Sequence, residues 1–226
     1  MAIILQIETA TQVCSAALSI DGKTIALKEQ MTPNIHAGSL TLFIQEIMGL
    51  TGLNYNDLNA VAVSKGPGSY TGLRIGISTA KGLCYALDKP LIAIDTLKMM
   101  SAGYLEVNPD YIGLVCPMID ARRMEVFTAV FDSNLNLVSP TSAMIIEEHS
   151  FEELSDFKIA FIGDGAGKAA NMVNAKNTSF HMKNFNSAAH LSKLAEQSFV
   201  SGIFEDIAYF EPFYLKDFIL SIPKKK

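Results

Sequence analysis

The sequence predicts an α/β protein made of two similar halves. In each half, three strand-like runs are joined by short polar turns, and helical patterns then alternate with further strand-like runs. The segment Asn108-Pro109-Asp110 is a natural turn between the halves. We therefore expect two domains, at residues 1–107 and 108–226, with residues 212–226 packing back on the first domain.

The first half contains short apolar runs and two longer segments with helical periodicity. Asp21-Gly22, between two apolar runs, is typical of a hairpin turn. Asp95-Thr96 is typical of a helix start, because an aspartate side chain can accept a bond from a free amide of the first turn. The expected strands are residues 3–7, 13–20, 23–28, 60–64 and 91–94, and the expected helices are residues 34–50, 72–87 and 96–102.

The second half repeats this order of elements without repeating the sequence. We expect its helix to be capped by Ser187. The expected strands are residues 111–118, 124–131, 135–138 and 158–162, and the expected helix is residues 188–200. Two such halves suggest tandem ribonuclease-H-like domains of the actin, sugar kinase and heat-shock chaperone (ASKHA) superfamily, in which ATP normally lies between the domains.

Composition narrows the class of protein. Of the 226 residues, 49% are hydrophobic and 18% are charged, which is typical of a globular chain and excludes a disordered one. The apolar runs are too short to span a bilayer and the first residues lack signal-peptide features, so we expect a cytoplasmic protein. The net charge of −5 disfavours direct binding of nucleic acid, which relies on clustered lysine and arginine. The terminal run Lys224-Lys225-Lys226 is expected to be a solvated end.

The three cysteines, Cys14, Cys84 and Cys116, lie among apolar neighbours and form no CxxC pair. This pattern predicts buried free thiols rather than a disulfide framework or a zinc site.

A glycine loop, Gly66-Pro67-Gly68-Ser69-Tyr70-Thr71-Gly72, follows the fourth expected strand. A phosphate-binding Walker loop requires Lys-Ser or Lys-Thr after its last glycine, whereas Leu73-Arg74 stand here. The glycine spacing also fails the GxGxxG dinucleotide pattern. The loop is therefore not a P-loop.

A possible vestigial nucleotide cleft is suggested by residues that follow strands. Glu8 and Asp120 stand where carboxylates of a two-domain ATPase would face the cleft, and Thr9 lies in the first turn. Gly163 and Gly165 form a second glycine-rich turn, which either contacts a nucleotide or is an ordinary strand-to-helix turn. Each acid is equally compatible with capping a turn.

Two helices carry the features of a protein interface. Small residues recur every four positions on the second helix, which permits close approach of another helix or close packing on the chain's own sheet. The first helix has apolar residues on more than one face, which indicates burial from both sides. The small row is Gly72, Gly76, Ala80 and Cys84, and the apolar set is Ile35, Leu40, Leu42, Phe43, Ile44, Ile47, Met48 and Leu50.

His36 precedes the first helix, but a metal-binding helix would place a second histidine where Leu40 stands. No other histidine has a matching spacing, and no nucleophile–histidine–acid arrangement is suggested. We expect no metal, no cofactor and no catalytic residue.

Several motifs together resemble the TsaB (YeaZ) family. The resemblance covers most of the chain and is weakest over residues 140–208. It rests on Leu5-Gln6-Ile7-Glu8-Thr9-Ala10-Thr11, on Cys14-Ser15-Ala16-Ala17-Leu18, on the run Gly66 to Gly76, on Ile119-Asp120-Ala121-Arg122 and on Pro212-Phe213-Tyr214-Leu215-Lys216. Many relatives carry aspartate at the position of Glu8, which weakens any case for phosphate or magnesium chemistry there.

The resemblance implies a non-catalytic subunit of the bacterial machinery that makes N6-threonylcarbamoyladenosine at position 37 of tRNAs reading codons that begin with A. Such a subunit dimerises with its paralogue TsaD; the ATPase TsaE joins the pair, TsaC makes the adenylate, and tRNA is met only through the complex. A homodimer is expected when the chain is alone. The alternative is an ATP-binding or glycoprotease-like metallopeptidase enzyme. The interface residues that the resemblance implies are His36, Leu40, Phe43, Ile47, Gly72, Arg74, Ile75, Gly76 and Thr79.

Overall fold

The computed structural model describes residues 1–33, 35–173 and 177–216. Two five-stranded mixed sheets form its frame. The first sheet contains β1 (Ile3–Glu8), β2 (Val13–Ile20), β3 (Lys23–Met31), β4 (Ala60–Gly66) and β5 (Leu91–Asp95). The second contains β6 (Leu114–Asp120), β7 (Glu125–Phe131), β8 (Leu137–Ile145), β9 (Ile159–Ile162) and β10 (Thr178–His181). The α-helices are α1 (His36–Thr51), α2 (Tyr70–Leu87), α3 (Thr96–Val107), α4 (Ala166–Ala170) and α5 (Ser192–Val200), with short 3-10 turns at Tyr55–Asp57, Glu152–Leu154 and Ala188–Leu191.

The two sheets have the same topology. Their strand orders are β3-β2-β1-β4-β5 and β8-β7-β6-β9-β10. In both sheets the first three strands pair antiparallel and the last two join in parallel. The repeat of architecture is confirmed, and the fold is an α/β pair of ribonuclease-H-like units.

Three hydrophobic cores follow from the alternation of side chains along the central strands. Ile3, Leu5 and Ile7 of β1 face α1 and α2, which cover one side of the first sheet. Ile4 faces the opposite side, where α3, the 188–191 turn and α5 fill the space between the two sheets. Phe161 belongs to the third core, on the far side of the second sheet with α4. The shared middle core fixes the two sheets against each other.

The ends of α3 were only partly predicted. Asp95 caps its start, as expected, because the carboxylate accepts a bond from the Lys98 amide at 3.0 Å. The helix continues to Val107, beyond the expected end at residue 102. The division at residues 107/108 stays a prediction. β10 was missed, since the four residues of Thr178–His181 have no alternating apolar pattern.

The C-terminal segment, residues 212–216, touches both halves. The Phe213 amide donates to the Lys65 carbonyl at 2.7 Å, and Lys216 pairs with Glu125 of β7. Residues 217–226, including the Lys224–Lys226 run, lie outside the described residues.

All three cysteines are buried free thiols. Among the described residues, none of the helices is both long enough and apolar enough to cross a membrane.

Candidate partner-binding surface and interdomain groove

The glycine loop is seated on the chain's own β1–β2 turn. The Ser69 amide donates to the Ala10 carbonyl at 2.6 Å, and the Ser69 hydroxyl accepts from the Gly72 amide at 3.3 Å as the cap of α2. A Cβ at Gly68 would overlap the Ala10 carbonyl. Glycine is thus required here for close contact between two backbone segments of one chain.

The row of small residues on α2 faces the same turn. Gly72 and Gly76 are buried, and a Cβ on either would overlap Thr9. Ala80 and Cys84 are buried in the core beneath α2. The row therefore packs inside the chain, which is one of the two alternatives that the sequence left open.

The nine residues expected at a partner interface occupy three environments. Leu40, Phe43 and Ile47 of α1 are buried in the first core. His36 is buried as well, and its Nε2 hydrogen-bonds the Val13 carbonyl at 3.1 Å. Because these residues, like Gly72 and Gly76, are buried, substituting them would affect a partner only indirectly, by changing the surface that they support. Ile75 and Thr79 are half-buried, and Arg74 is exposed.

The exposed sides of α1 and α2 form a second stripe, which the sequence reading did not separate from the buried one. Leu42 and Leu50 are 54% and 76% exposed, and Tyr85 is 85% exposed. Cβ atoms at Gly38, Gly49 and Gly82 would meet nothing within 4 Å. The spacing of i, i+4, i+7 and i+11 would have revealed the stripe. We call this surface the outer face; it comprises Gly38, Leu42, Gln45, Gly49 and Leu50 of α1 with Thr71, Arg74, Ser78, Gly82 and Tyr85 of α2.

Arg74 is held at one end of the outer face by two tyrosines. Its guanidinium carbon lies 4.1 Å from the centre of the Tyr70 ring, and its Nε donates to the Tyr214 hydroxyl at 3.0 Å. The two rings are 4.8 Å apart. Arginine and tyrosine dominate the energetics of many protein interfaces, since both bury large surfaces at small entropic cost.

A groove of about 940 Å³ opens beside this cluster, between the two sheet units. Its walls are the β1–β2 turn at residues 10–12, the loop at residues 68–72, the β6–β7 turn at residues 119–122 and the segment 213–216. We call it the interdomain groove.

Glu8 and Thr9 are buried rather than placed in the groove lining. Glu8 Oε1 accepts from the Ala10 amide at 2.6 Å, whereas Oε2 has no hydrogen-bond partner among the described residues. Burial raises the pKa of Glu8 to about 7, and the Ser64 side chain, the Ala10 amide and the Asn186 side chain oppose that rise. The carboxyl is a buried part of the turn that supports the glycine loop.

Asp120 does line the groove. Its Oδ1 accepts from Lys168 Nζ at 2.8 Å and from the Arg122 amide at 2.6 Å. Partial burial raises the pKa of Asp120, but these bonds outweigh it, and the pKa lies below its usual range. The carboxylate is therefore ionised and engaged within the chain.

Gly163 and Gly165 lie in the turn after β9, against the β6 strand. A Cβ at Gly165 would lie 3.0 Å from Met118 Cβ and from Val126 Cγ1, and Gly163 has a φ of +100°. Packing accounts for both glycines, as in an ordinary strand-to-helix turn. The structure brings Asp120 to this turn, because the Asp120 amide donates to Asp164 Oδ1 at 2.9 Å, whereas Glu8 and Thr9 are buried in the first half. A nucleotide role for the five residues stays a prediction.

Across residues 1–33, 35–173 and 177–216, no group of three or more histidine, cysteine, aspartate or glutamate side chains is arranged to hold a metal ion.

Comparisons with known proteins identify the family of the chain. The family model described as TsaD, tRNA N6-adenosine threonylcarbamoyltransferase, matches residues 30–218. The tRNA threonylcarbamoyladenosine biosynthesis protein TsaB of Escherichia coli K12 is 31% identical over 221 residues, which cover 95% of this chain and 94% of that protein. The chain belongs to the TsaB (YeaZ) family. TsaB of Bacillus subtilis is 28% identical over 174 residues, covering 75% of this chain and 74% of the relative.

Solved structures agree with the family's fold. YeaZ from Pseudomonas aeruginosa superposes with a TM-score of 0.85 at 24% identity, over 95% of this chain and 100% of that chain. The activator of 2-hydroxyisocaproyl-CoA dehydratase from Clostridium difficile, solved with ADPNP, gives a TM-score of 0.50 at 10% identity, over 90% and 99% of the two chains. The fold is that of the two-domain ASKHA superfamily, as expected.

Proposed function

We propose that this chain acts in the biosynthesis of tRNA threonylcarbamoyladenosine as a non-catalytic subunit that dimerises with TsaD. In this role it supports transfer of the threonylcarbamoyl group to N6 of adenosine 37 in tRNAs reading codons that begin with A. The observation that carries the proposal is the outer face, in which open glycines, exposed apolar side chains and the Arg74 cluster lie on the exposed sides of two contacting helices, α1 and α2. The family relationship to TsaB supports the pathway.

The outer face suits a helical partner. Gly38, Gly49 and Gly82 leave the helix backbones uncovered, so another helix can approach closely. Leu42 and Tyr85 add exposed apolar surface to the same two helices. In the absence of TsaD, the same strip would pair with a second copy of the chain, which gives a homodimer. We expect TsaE to join the pair that this chain forms with TsaD, and TsaC to act earlier by making the adenylate. We expect tRNA to be met only through the complex.

A supporting rather than a catalytic role agrees with the state of the cleft residues. Glu8 is fully buried beneath the glycine loop, and Asp120 is bonded to Lys168 and to the Arg122 amide. A carboxylate engaged in this way stabilises the turn in which it lies. We assign transfer of the threonylcarbamoyl group to TsaD.

The interface is tested by adding bulk to the outer face. Gly82→Arg is expected to leave the monomer folded, because a side chain there points into open space, and to abolish co-elution with TsaD in size-exclusion chromatography. Gln197→Arg, which adds the same charge on exposed α5, is the matched control and is expected to co-elute normally. Unchanged pairing of the Gly82 variant would place the interface elsewhere.

The function is tested by reconstitution of tRNA modification from purified components. Omission of this chain is expected to reduce modification at adenosine 37 to background, and Gly82→Arg is expected to behave like the omission. Full modification without the chain would refute the proposed role.

A further inference from the structure

Arginine has an uneven distribution in this acidic chain. The sequence contains three arginines, Arg74, Arg122 and Arg123, against a net charge of −5. Arg122 lines the interdomain groove, and Arg123 follows it in the same turn. Arg74 contacts Tyr70 and Tyr214, both of which line the groove as well. Arg122 therefore lines the groove, and Arg74 and Arg123 adjoin residues that line it.

Lysines pair with two carboxylates near this turn, and a third carboxylate, that of Asp164, lines the groove and accepts a bond from the Asp120 amide at 2.9 Å. Lys168 bonds Asp120, and Lys216 pairs with Glu125. The side chains of Arg122 and Arg123, by contrast, are exposed and form no ion pair or hydrogen bond with another described residue. The β6–β7 turn thus presents two guanidinium groups with their hydrogen-bond donors free.

The backbone of this turn is unusual for its residues. Arg122 has a φ of 71° and Arg123 a φ of 51°, so two consecutive residues occupy the left-handed region. Glycine or asparagine is the usual choice at such positions, because a Cβ is strained there. The turn is held by bonds from the Arg122 amide to Asp120 Oδ1 at 2.6 Å and from Lys168 Nζ to the Glu125 carbonyl at 2.8 Å. Strain retained in a rigid frame is characteristic of binding sites.

We infer that the Arg122–Arg123 turn is a phosphate-binding site at the mouth of the interdomain groove. A guanidinium group matches a phosphate in shape and charge and can donate two parallel bonds to it. Ser69, Thr71 and Gln12 line the adjacent groove and offer further donors. The phosphate is carried either by an RNA backbone or by a nucleotide, since both present the same group. The Arg122–Arg123 turn is not part of the outer face, although Thr71 of that face also lines the groove and Arg74 contacts its wall.

The test uses the isolated chain at low salt with two probes, a fluorescein-labelled twelve-nucleotide uridylate RNA followed by anisotropy, and inorganic pyrophosphate followed by calorimetry. The Arg122→Gln/Arg123→Gln variant is expected to bind at least one probe about tenfold more weakly than the native chain, with a smaller dependence of RNA binding on salt. Lys158→Gln/Lys183→Gln removes the same charge from exposed positions of the same half and is expected to change binding less than twofold.

Loss of RNA binding alone identifies an RNA backbone, and loss of pyrophosphate binding identifies a nucleotide. Equal effects of the two double variants, or the absence of arginine-dependent binding of both probes, would overturn the inference. Because TsaD is not in the assay, its outcome does not depend on whether the two proteins pair.

A second variant separates binding from folding. Arg122→Gly/Arg123→Gly relieves the positive-φ strain, so it is expected to raise the melting temperature while it abolishes the same binding. A lowered melting temperature together with unchanged binding would show that the two arginines serve the turn itself.

Discussion

The Nε atom of Arg74 donates to the hydroxyl of Tyr214 at 3.0 Å, although the two residues are 140 positions apart in the sequence. Arg74 belongs to α2 of the first half, and Tyr214 to the C-terminal segment. One end of the outer face is therefore built jointly by residues of the first half and of the C-terminal segment.

This contact predicts that Tyr214 tunes the partner surface. Tyr214→Phe removes the hydroxyl that orients the guanidinium group but keeps the ring, and a lost hydrogen bond of about 1 kcal/mol corresponds to roughly fivefold weaker pairing with TsaD. Calorimetric titration measures the change. Tyr209→Phe, at an exposed tyrosine of the preceding segment, is the control and should leave the affinity unchanged. Equal affinity of the two variants for TsaD would show that the Arg74 cluster is not part of the interface.

The two kinds of glycine on α2 predict opposite effects on stability. Gly82→Ala is expected to stabilise the chain by about 0.5–1 kcal/mol, because alanine favours a helix and its Cβ enters open space. Gly76→Ala is expected to destabilise the chain by about 1–3 kcal/mol, because its Cβ overlaps Thr9. Urea unfolding of both variants gives the comparison. Stabilisation by both would mean that α2 does not rest on the β1–β2 turn.

The buried carboxyl of Glu8 predicts a stability that decreases as pH rises. Its pKa is raised from 4.5 to about 7 on folding, so the folded state holds the proton more tightly than the unfolded state. The favourable contribution is complete below pH 4.5, declines between pH 4.5 and 7 and is gone above that range. Glu8→Gln should therefore match the native chain near pH 4.5 and exceed it at pH 8 by at most about 3 kcal/mol.

Chemical denaturation across that pH range measures the Glu8 effect. Glu153→Gln, at an exposed glutamate, is the control and should leave the curve unchanged. A constant difference between the Glu8 variant and the native chain at all pH values would show that the carboxyl does not titrate on folding.

The three thiols are expected to be unreactive in the folded chain. Burial raises the pKa of Cys14 and of Cys84 to about 11 and that of Cys116 to about 12, and thiolate is the reactive form. At pH 8 an aromatic disulfide reagent should therefore modify the native chain far more slowly than the chain in urea, where all three thiols react. Rapid modification of one thiol without denaturant would identify a local opening of its core.

The repeated order of strands could be predicted from the sequence, because apolar alternation and turn residues are local signals. The sequence was also sufficient for the cap at Asp95, whose side chain accepts an amide bond three residues on. Ser187 instead caps a 3-10 turn at residues 188–191, and the α-helix expected from residue 188 begins at Ser192. Four-residue β10 lacked such a pattern. The face that α2 buries against its own chain was not predictable, since a small residue at every fourth position suits either packing on the chain's own sheet or docking of another helix. Only the β1–β2 turn, far away in sequence, decides that Gly72 and Gly76 face inward.

The contacts of the candidate site were predicted least well, because they join distant segments. Asp120 follows a strand, as expected, yet its partner Lys168 is 48 positions away. That Arg122 forms no ion pair is visible only in the structure, in which Asp120 and Glu125 pair with lysines instead.

The C-terminal segment that bonds Lys65, Arg74 and Glu125 also sets an order of events during synthesis. The two helices of the outer face are complete once residue 87 has emerged, but Arg74 acquires its tyrosine partner only when residues 213–216 have been made. A nascent or truncated chain therefore carries an unfinished partner surface. Under the proposed function, pairing with TsaD would then require a chain that has been translated at least as far as residue 216.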